Sequence, residues 1–255
     1  MTAQREKARL FRSLHVRGTP IVLFNVWDAG TAKAVAGAGA RAIATGSWSV
    51  AAANGFEDGE NLSLDFALEN LARIVRVTEL PVTIDLESGY GESPADVARC
   101  VGRAIAAGAV GCNLEDSYPS DGSLRPVEEH VRRIASARKA ADDVDVDLFL
   151  NARVDVFFQS PASEHDESML QAVLERARAF ADVGADGLFL PGLVEEKLIA
   201  RAVKGSPLPL NVMVQAQTPS LGRLAELGVA RVSHGPGPYL SLMKQLAEAA
   251  RGALS

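Results

Sequence analysis

Groups that announce a chemistry directly are scarce in this sequence. Its 255 residues include 2 cysteines, 4 histidines and six lysines. Two cysteines make no disulfide framework. Cys100 falls in a helical pattern and Cys112 on a strand, so both read as free thiols of a reducing, cytoplasmic setting. The histidines (His15, His130, His165 and His234) are spaced far from one another, which argues against a zinc site. Lys7, Lys33, Lys139, Lys197, Lys204 and Lys244 all lie in helical or terminal stretches. None sits at a strand end, which disfavours Schiff-base chemistry there. No run approaches about 18 apolar residues, so no membrane-spanning helix is expected. The net charge of −6, with no basic cluster, disfavours nucleic acid and anionic membranes as partners. The charged opening from Met1 to Lys7 is unlike a signal peptide.

What is present is a repeated joint of helix, glycine and strand. Gly39 precedes a strand from Ala40 to Thr45. Gly108 precedes one ending at Glu115, Gly184 one ending at Pro191, and Gly228 one ending near His234. Each glycine falls just past the last helical residue, where the chain turns left-handed. Ile21 to Val26, Val82 to Glu87, Val146 to Ala152 and Leu208 to Val212 supply four more strands. Helices are expected to about Leu14 and over Thr31–Ala38, Val127–Ala141 and Glu195–Val203. About eight strands alternating with helices, without hairpin signals, predict a (β/α)₈ TIM-type barrel, with a doubly wound sheet as the alternative. No linker or low-complexity segment interrupts residues 1–255, which read as one domain. The run Gly37-Ala38-Gly39-Ala40-Arg41-Ala42 imitates a dinucleotide fingerprint, but it follows a helix and precedes a strand, the reverse of what a phosphate loop needs.

The third strand carries the sharpest signal. Val82, Ile84 and Leu86 alternate with Thr83, Asp85 and Glu87, which places the two acids on one face. Alone, this could be an edge strand with solvated acids. The polar parity of the fourth strand is Gly111, Asn113 and Glu115, and that of the fifth is Asn151, Arg153 and Asp155. In a barrel these parities face the axis, so Asp85, Glu87, Glu115 and Arg153 converge at the C-terminal mouth. Three carboxylates there suit a hard cation, Mg²⁺ or Mn²⁺. Crowding predicts that at least one of them has a raised pKa when metal-free. Arg153 fits a substrate carboxylate, or alternatively pins Glu115 or Asp155 by a salt bridge. Gly46-Ser47 offers backbone amides to an anion. Asp58 lies in the long segment after the second strand.

Taken together, these stretches resemble the phosphoenolpyruvate mutase/isocitrate lyase superfamily. The resemblance runs through Phe24-Asn25-Val26-Trp27-Asp28-Ala29, Thr45-Gly46-Ser47, Gly55-Phe56-Glu57-Asp58-Gly59, Asp85-Leu86-Glu87-Ser88-Gly89-Tyr90-Gly91, Asn113-Leu114-Glu115-Asp116 and Asn151-Ala152-Arg153-Val154-Asp155. It implies a Mg²⁺-bound 2-oxo acid reacting through a pyruvate enolate. Asp85 would hold the metal directly, and Glu87 and Glu115 largely through water. Thr45, Gly46, Ser47 and Arg153 would bind the carboxylate and oxo group, and Asp58 would orient a nucleophile or water. His234 and Asn211 are candidates for the substrate's distal group. It also implies a homotetramer, a dimer of dimers, with a C-terminal helix exchanged between subunits.

Two departures from the superfamily pattern shape the functional expectation. Glu87 stands where aspartate is usual, and the loop from Asp116 to Pro126 has none of the cysteine, histidine or lysine of the superfamily's lyase lid. Cleavage of isocitrate in the usual manner is therefore not expected. Three readings stay open: C–C chemistry on an oxaloacetate-like acid, P–C chemistry of the phosphonopyruvate hydrolase or phosphonomutase type, and 2-oxo acid binding without turnover. Only Arg125 and Arg153 offer cations for a phosphonate, so the C–C reading leads.

Overall fold

The computed structural model describes residues 2–254. Eight parallel strands, β1 (Ile21–Leu23), β2 (Ile43–Ala44), β3 (Val82–Asp85), β4 (Gly111–Glu115), β5 (Phe149–Arg153), β6 (Gly187–Leu190), β7 (Leu210–Met213) and β8 (Arg231–Ser233), form one sheet. Its order is β1-β8-β7-β6-β5-β4-β3-β2. A parallel bridge from Val26 to Thr45 joins the outermost strands, so the sheet curls into a nearly closed (β/α)₈ barrel.

Among the described residues the α-helices are α1 (Thr2–Ser13), α2 (Ala29–Gly37), α3 (Ser47–Ala53), α4 (Leu64–Val75), α5 (Pro94–Ala106), α6 (Val127–Asp142), α7 (Glu167–Asp182), α8 (Glu196–Gly205), α9 (Leu221–Glu226) and α10 (Gly237–Leu254). Most barrel helices begin with a polar cap at the mouth. Ser93 accepts from the Asp96 amide, Pro94 occupies the first turn of α5, and Asp166 and Ser220 cap α7 and α9 in the same way. Each then buries an apolar stripe, such as Val97, Cys100, Val101, Ala104 and Ile105 in α5. The four joint glycines, Gly39, Gly108, Gly184 and Gly228, have φ between 89° and 104°. A Cβ at Gly108 would also meet Val75 at 2.8 Å. Gly37 ends α2 and Gly39 is its turn, so the apparent fingerprint is a helix terminus.

The barrel's lower end is plugged by α1. Phe11 is fully buried edge-on to Phe149, and a Cβ on Gly111 would meet the Phe11 ring at 2.7 Å. His15 stacks on Phe149 at 3.8 Å, and burial pushes its imidazole down to about 3. Several strands are shorter than the alternation suggests. Just beyond the end of β1 at Leu23, Asn25 ties neighbouring segments of the mouth together, donating to the Thr45 carbonyl and accepting from the His234 and Gly235 amides. β5 starts at Phe149 because α6 ends in a turn through Asp145 at φ 54°. Both cysteines are buried free thiols; burial pushes Cys100 up to about 12 and raises Cys112 as well. Among the described residues, no helix is long and apolar enough to cross a membrane.

Candidate active site

The polar ends of β3, β4 and β5 meet at the mouth because parallel register aligns them. Asp85 pairs with Asn113, Asn113 with Asn151, and Glu115 with Arg153. Asp85 is held by its surroundings rather than by a counter-charge. Its amide donates to Thr45 Oγ1 at 3.1 Å, and its Oδ2 accepts from Ser47 Oγ at 3.2 Å. Ser47 opens α3, so the amide offered by Gly46-Ser47 faces Asp85 itself, 3.5 Å from Oδ2. Oδ1 of Asp85 is buried with no hydrogen-bond partner. A buried carboxylate oxygen left bare is costly unless a cation or proton occupies it.

Glu87 departs from the expected strand geometry. β3 ends at Asp85, and Glu87 takes a φ of 50° in the left-handed region. Its Oε2 accepts from the amides of Gly59 (2.8 Å) and Glu60 (2.6 Å), and its Oε1 accepts from the Tyr90 hydroxyl at 3.0 Å. Glu87 thus ties the segment after α3 to the end of β3. Burial first, then Asp58, pushes its carboxyl up to about 7. Glu60 completes the tie, accepting from Ser88 Oγ (2.6 Å) and the Tyr90 amide (2.9 Å). From below, the buried guanidinium of Arg133 donates to the carbonyls of Ser88, Gly91 and Glu92.

Arg153 sits between two acids. It donates through Nε and Nη2 to both oxygens of Asp155, at 2.6 and 3.0 Å, and its Nη1 lies 2.7 Å from Glu115 Oε2. Five guanidinium N–H groups less three leaves two for a ligand. The anions raise the Arg153 pKa against its burial. Burial pushes the Glu115 carboxyl up, and Arg153 pulls it back. Ser117 Oγ donates to Asp155 at 2.8 Å, and Asp116 accepts from the Asp155 amide while paired with Arg176 at 3.0 Å. Asp58 stands at the lip. Its carboxyl is pushed up by desolvation and by Asp85, with Ser47 opposing. The carboxyls of Glu87, Glu115 and Asp58 are thus all raised, by burial first and by neighbouring acids after it.

Asp58, Asp85, Gly46, Ser47, Asn113 and Arg153 line one chamber of about 440 Å³. A second space of about 580 Å³ lies on the other side of Asp58, Arg153 and Phe158, under the loop from Asp116 to Pro126. Not every expected substrate contact reaches the chamber. The His234 ring packs on Phe24 at 5.0 Å while its neighbours Ser233 and Gly235 line the wall. Asn211 is buried deeper, its Oδ1 accepting from Ser233 and its Nδ2 unpartnered. Thr45 acts on the Asp85 backbone and does not line the chamber. The same axis holds Arg231, 1% exposed, donating to Asn113 Oδ1 and Ser233 Oγ; burial pushes it down to about 9. No pattern at the strand ends singled out Arg231, Arg133 or Glu60. Their roles come from contacts distant in sequence.

The loop over the second space is an ordered hairpin. Ser117 bridges Leu124, and the Tyr118 amide donates to the Ser123 carbonyl at 2.8 Å. Arg125 lies over the Tyr118 ring at 4.0 Å and pairs with Glu129 at 2.6 Å, which also accepts from the Tyr118 hydroxyl. Arg125 is only 4% exposed. It secures the hairpin and offers no charge to the mouth.

Among the described residues, no three His, Cys, Asp or Glu side chains gather as a ready metal cluster. Asp85 alone of the three expected ligands keeps a bare oxygen; Glu87 is occupied by amides and Tyr90, and Glu115 by Arg153. That donor set fits a hard cation bound directly by Asp85, with the other acids acting at a distance through water.

A (β/α)₈ barrel with acids, a paired arginine and an open chamber at its C-terminal mouth defines an enzyme of the class that places its chemistry on strand ends. Residues 11–254 match the family model described as phosphoenolpyruvate phosphomutase, and the chain belongs to that family. Its relatives and structural neighbours are lyases and mutases of the phosphoenolpyruvate mutase/isocitrate lyase superfamily, and this protein is an enzyme of that kind. A crystal structure from Burkholderia cenocepacia J2315, provisionally assigned as a phosphonomutase, is 59% identical over 98% of this chain and 99% of that one, with a TM-score of 0.96. The 2-methylisocitrate lyase of Escherichia coli (strain K12) is 30% identical over 83% of this chain and 71% of its own length. A phosphonopyruvate hydrolase in complex with oxalate and Mg²⁺ shares the fold, with 24% identity over 96% of this chain and 86% of that one and a TM-score of 0.82.

Proposed function

We propose that this enzyme uses Mg²⁺ to break or form a carbon–carbon bond next to the oxo group of a small 2-oxo acid, through a pyruvate enolate. The observation that carries this reading is the bare, buried Oδ1 of Asp85 beside a guanidinium with two N–H groups to spare. A hard divalent cation, when bound, supplies Lewis-acid polarisation of the oxo and carboxylate oxygens. Asp85 would hold it directly, with Glu87 and Glu115 reaching it through water. Arg153 takes the substrate carboxylate with its free N–H groups, already oriented by Asp155. Ser47, whose hydroxyl and amide both face Asp85 Oδ2, orients that carboxylate at the chamber wall. Asp58, at the lip with a raised pKa, is placed to hold a proton or orient water near the reacting carbon.

Carbon–carbon chemistry is favoured over phosphorus–carbon chemistry because Arg125 is committed to Glu129 and Tyr118. Arg153 is then the chamber's one cationic side chain among the described residues, too little for a phosphonate dianion. Pyruvate release from a panel of 2-oxo and 2-hydroxy acids, with phosphonopyruvate included and Mg²⁺ present or chelated, tests this. Metal-dependent turnover on a C–C substrate supports it. Turnover on phosphonopyruvate alone sinks it.

The assembly proposed with this function runs through α10. Of its 18 residues Pro238 alone is buried, while Leu242 and Leu246 stand exposed. An apolar helix face left in water favours burial in a second subunit. Light scattering should give a homotetramer for the native protein and smaller species for Leu242→Glu/Leu246→Glu. An unchanged mass in the variant would remove α10 from the interface.

A further inference from the structure

The floor of the chamber carries an amide whose orientation is fixed from below. Asn113 pairs in register with Asp85 on one side and Asn151 on the other, and its side chain lines the chamber. Its Oδ1 accepts from Asn151 Nδ2 at 2.9 Å and from Arg231 Nη2 at 3.3 Å. An amide could otherwise be turned either way. A guanidinium donates and cannot accept, so the Asn113 atom that faces Arg231 has to be the oxygen. The nitrogen therefore points the other way. Nδ2 of Asn113 donates to no protein group among the described residues and is not sealed in the core, so it opens on the chamber.

The barrel axis carries a cost for this arrangement. Arg231, 1% exposed, meets Asn113 Oδ1 and Ser233 Oγ but no carboxylate among the described residues, and its Nη1 is buried without a partner. Asn151, obliged to donate to Asn113, leaves its own Oδ1 buried and unpartnered. Apolar side chains of similar volume would fill the axis at less cost. Other inner donors of the chamber are already spent. Asn25 Nδ2 goes to the Thr45 carbonyl, Ser47 Oγ to Asp85 and Ser233 Oγ to Asn211 Oδ1. Trp48 and Gln215 are exposed. Asn113 Nδ2 and the two free N–H groups of Arg153 are the inner side-chain donors that remain among the described residues.

We infer that Asn113 is a substrate-binding residue whose Nδ2 donates to the oxo oxygen of the bound 2-oxo acid, and that Arg231 is the positioning residue that holds the amide the right way round without touching the substrate. The inference deepens the reading of the site as a Mg²⁺-assisted 2-oxo acid centre, and rests on it. Asn113 is level with Asp85, the proposed metal anchor, whereas Arg153 is level with Glu115, two residues further along the strand. The carboxylate then belongs to the layer of Arg153 and the oxo group to the layer of Asn113. An enolate gathers charge on the oxo oxygen, so a donor already fixed there counts for more as the bond breaks. Donation from Arg231 into Oδ1 also polarises the amide and makes its N–H a better donor.

Calorimetry with Mg²⁺ alone, then with oxalate at saturating Mg²⁺, tests both halves. Oxalate presents a carboxylate oxygen where the oxo oxygen would lie. Asn113→Leu should bind oxalate about tenfold more weakly, the worth of one hydrogen bond to a charged group, with Mg²⁺ affinity kept. Arg231→Met should also weaken oxalate, because the amide is then free to turn. It should not weaken Mg²⁺, since a buried cation within reach of Asp85 has gone. Adding Arg231→Met to Asn113→Leu should cost oxalate nothing more. The double variant replaces the pair by apolar side chains, so it supplies a folded protein to measure where a single change destabilises. Native oxalate affinity in Asn113→Leu or in the double variant overturns the contact. A further loss in the double variant, or Mg²⁺ and oxalate weakening together in Arg231→Met, overturns the positioning role. Failure of oxalate to bind the native protein in a Mg²⁺-dependent way is a separate result, and overturns the reading of the site itself.

Discussion

Asp85→Asn should leave a folded barrel whose Mg²⁺-dependent turnover has fallen by about 10³-fold, the scale set by losing one preorganised charge-stabilising group. The amide keeps the size of the carboxylate and can still accept from Ser47, so stability in the absence of metal should move by no more than about 1 kcal/mol. The separating measurement is thermal melting with and without Mg²⁺. Native protein at a hundred times its metal dissociation constant should gain about 2.7 kcal/mol, and the variant nothing. Acidity adds a second check. In the folded state the Glu87 carboxyl is raised from 4.5 to about 7, so the folded protein keeps a proton that the unfolded chain releases. Metal-free stability should therefore decline as pH rises from about 4.5 to about 7. Over the same window Mg²⁺ competes with protons for the acids, so its stabilising effect should grow. A Mg²⁺ effect of equal size in Asp85→Asn would remove Asp85 as the metal anchor, and one flat from pH 5 to 8 would remove Glu87 from the metal site.

What could be read from the sequence was whatever depends on local geometry. The period of two in β3 put Asp85 on the axial face, and the same parity in β4 and β5 brought Asn113, Asn151, Glu115 and Arg153 into register with it. The joint glycines were legible because a left-handed residue after a helix selects glycine. Parity also held a warning about His234: with Ser233 inward, the next residue must face outward, onto Phe24. The pairing of Arg125 with Glu129 follows helical i,i+4 spacing and was equally available, which would have withdrawn Arg125 from the mouth.

Glu87 was not legible in that way. An alternating pattern continues through it, yet the chain turns left-handed there because its carboxylate is captured by the amides of Gly59 and Glu60, 28 and 27 residues away. The extra methylene relative to aspartate gives the reach for that capture. The substitution that looked like a shifted metal ligand is thus also a tether for the segment carrying Asp58. Arg231 and Arg133 escaped notice for the same reason: each is a buried guanidinium whose partners belong to other strands or loops. The apolar lining of the chamber (Trp48, Phe158, Phe189, Met213, Val214 and Leu240) draws on five separate elements, and no single stretch of sequence contains it.

Arg153→Met should be the most damaging single change to stability. It strands Glu115 and Asp155, whose side chains are 12% and 4% exposed, without their shared cation. Removing one partner of a buried ion pair costs about 3–5 kcal/mol, since the remaining charge is left uncompensated. Urea denaturation should show that loss, and Arg153→Lys should recover part of it, because an ammonium restores the charge but cannot span both oxygens of Asp155. Stability and binding can then be separated by neutralising the stranded acids. In Arg153→Met/Glu115→Gln/Asp155→Asn the uncompensated charges are gone, and most of the stability should return. Oxalate binding should not return with it, because the two free guanidinium N–H groups are still missing. If that triple variant bound oxalate as the native protein does, Arg153 would be a structural clamp for Glu115 and Asp155 and nothing more. Loss of binding in the restored fold, with Glu115→Gln/Asp155→Asn alone still binding oxalate, would assign Arg153 the substrate carboxylate.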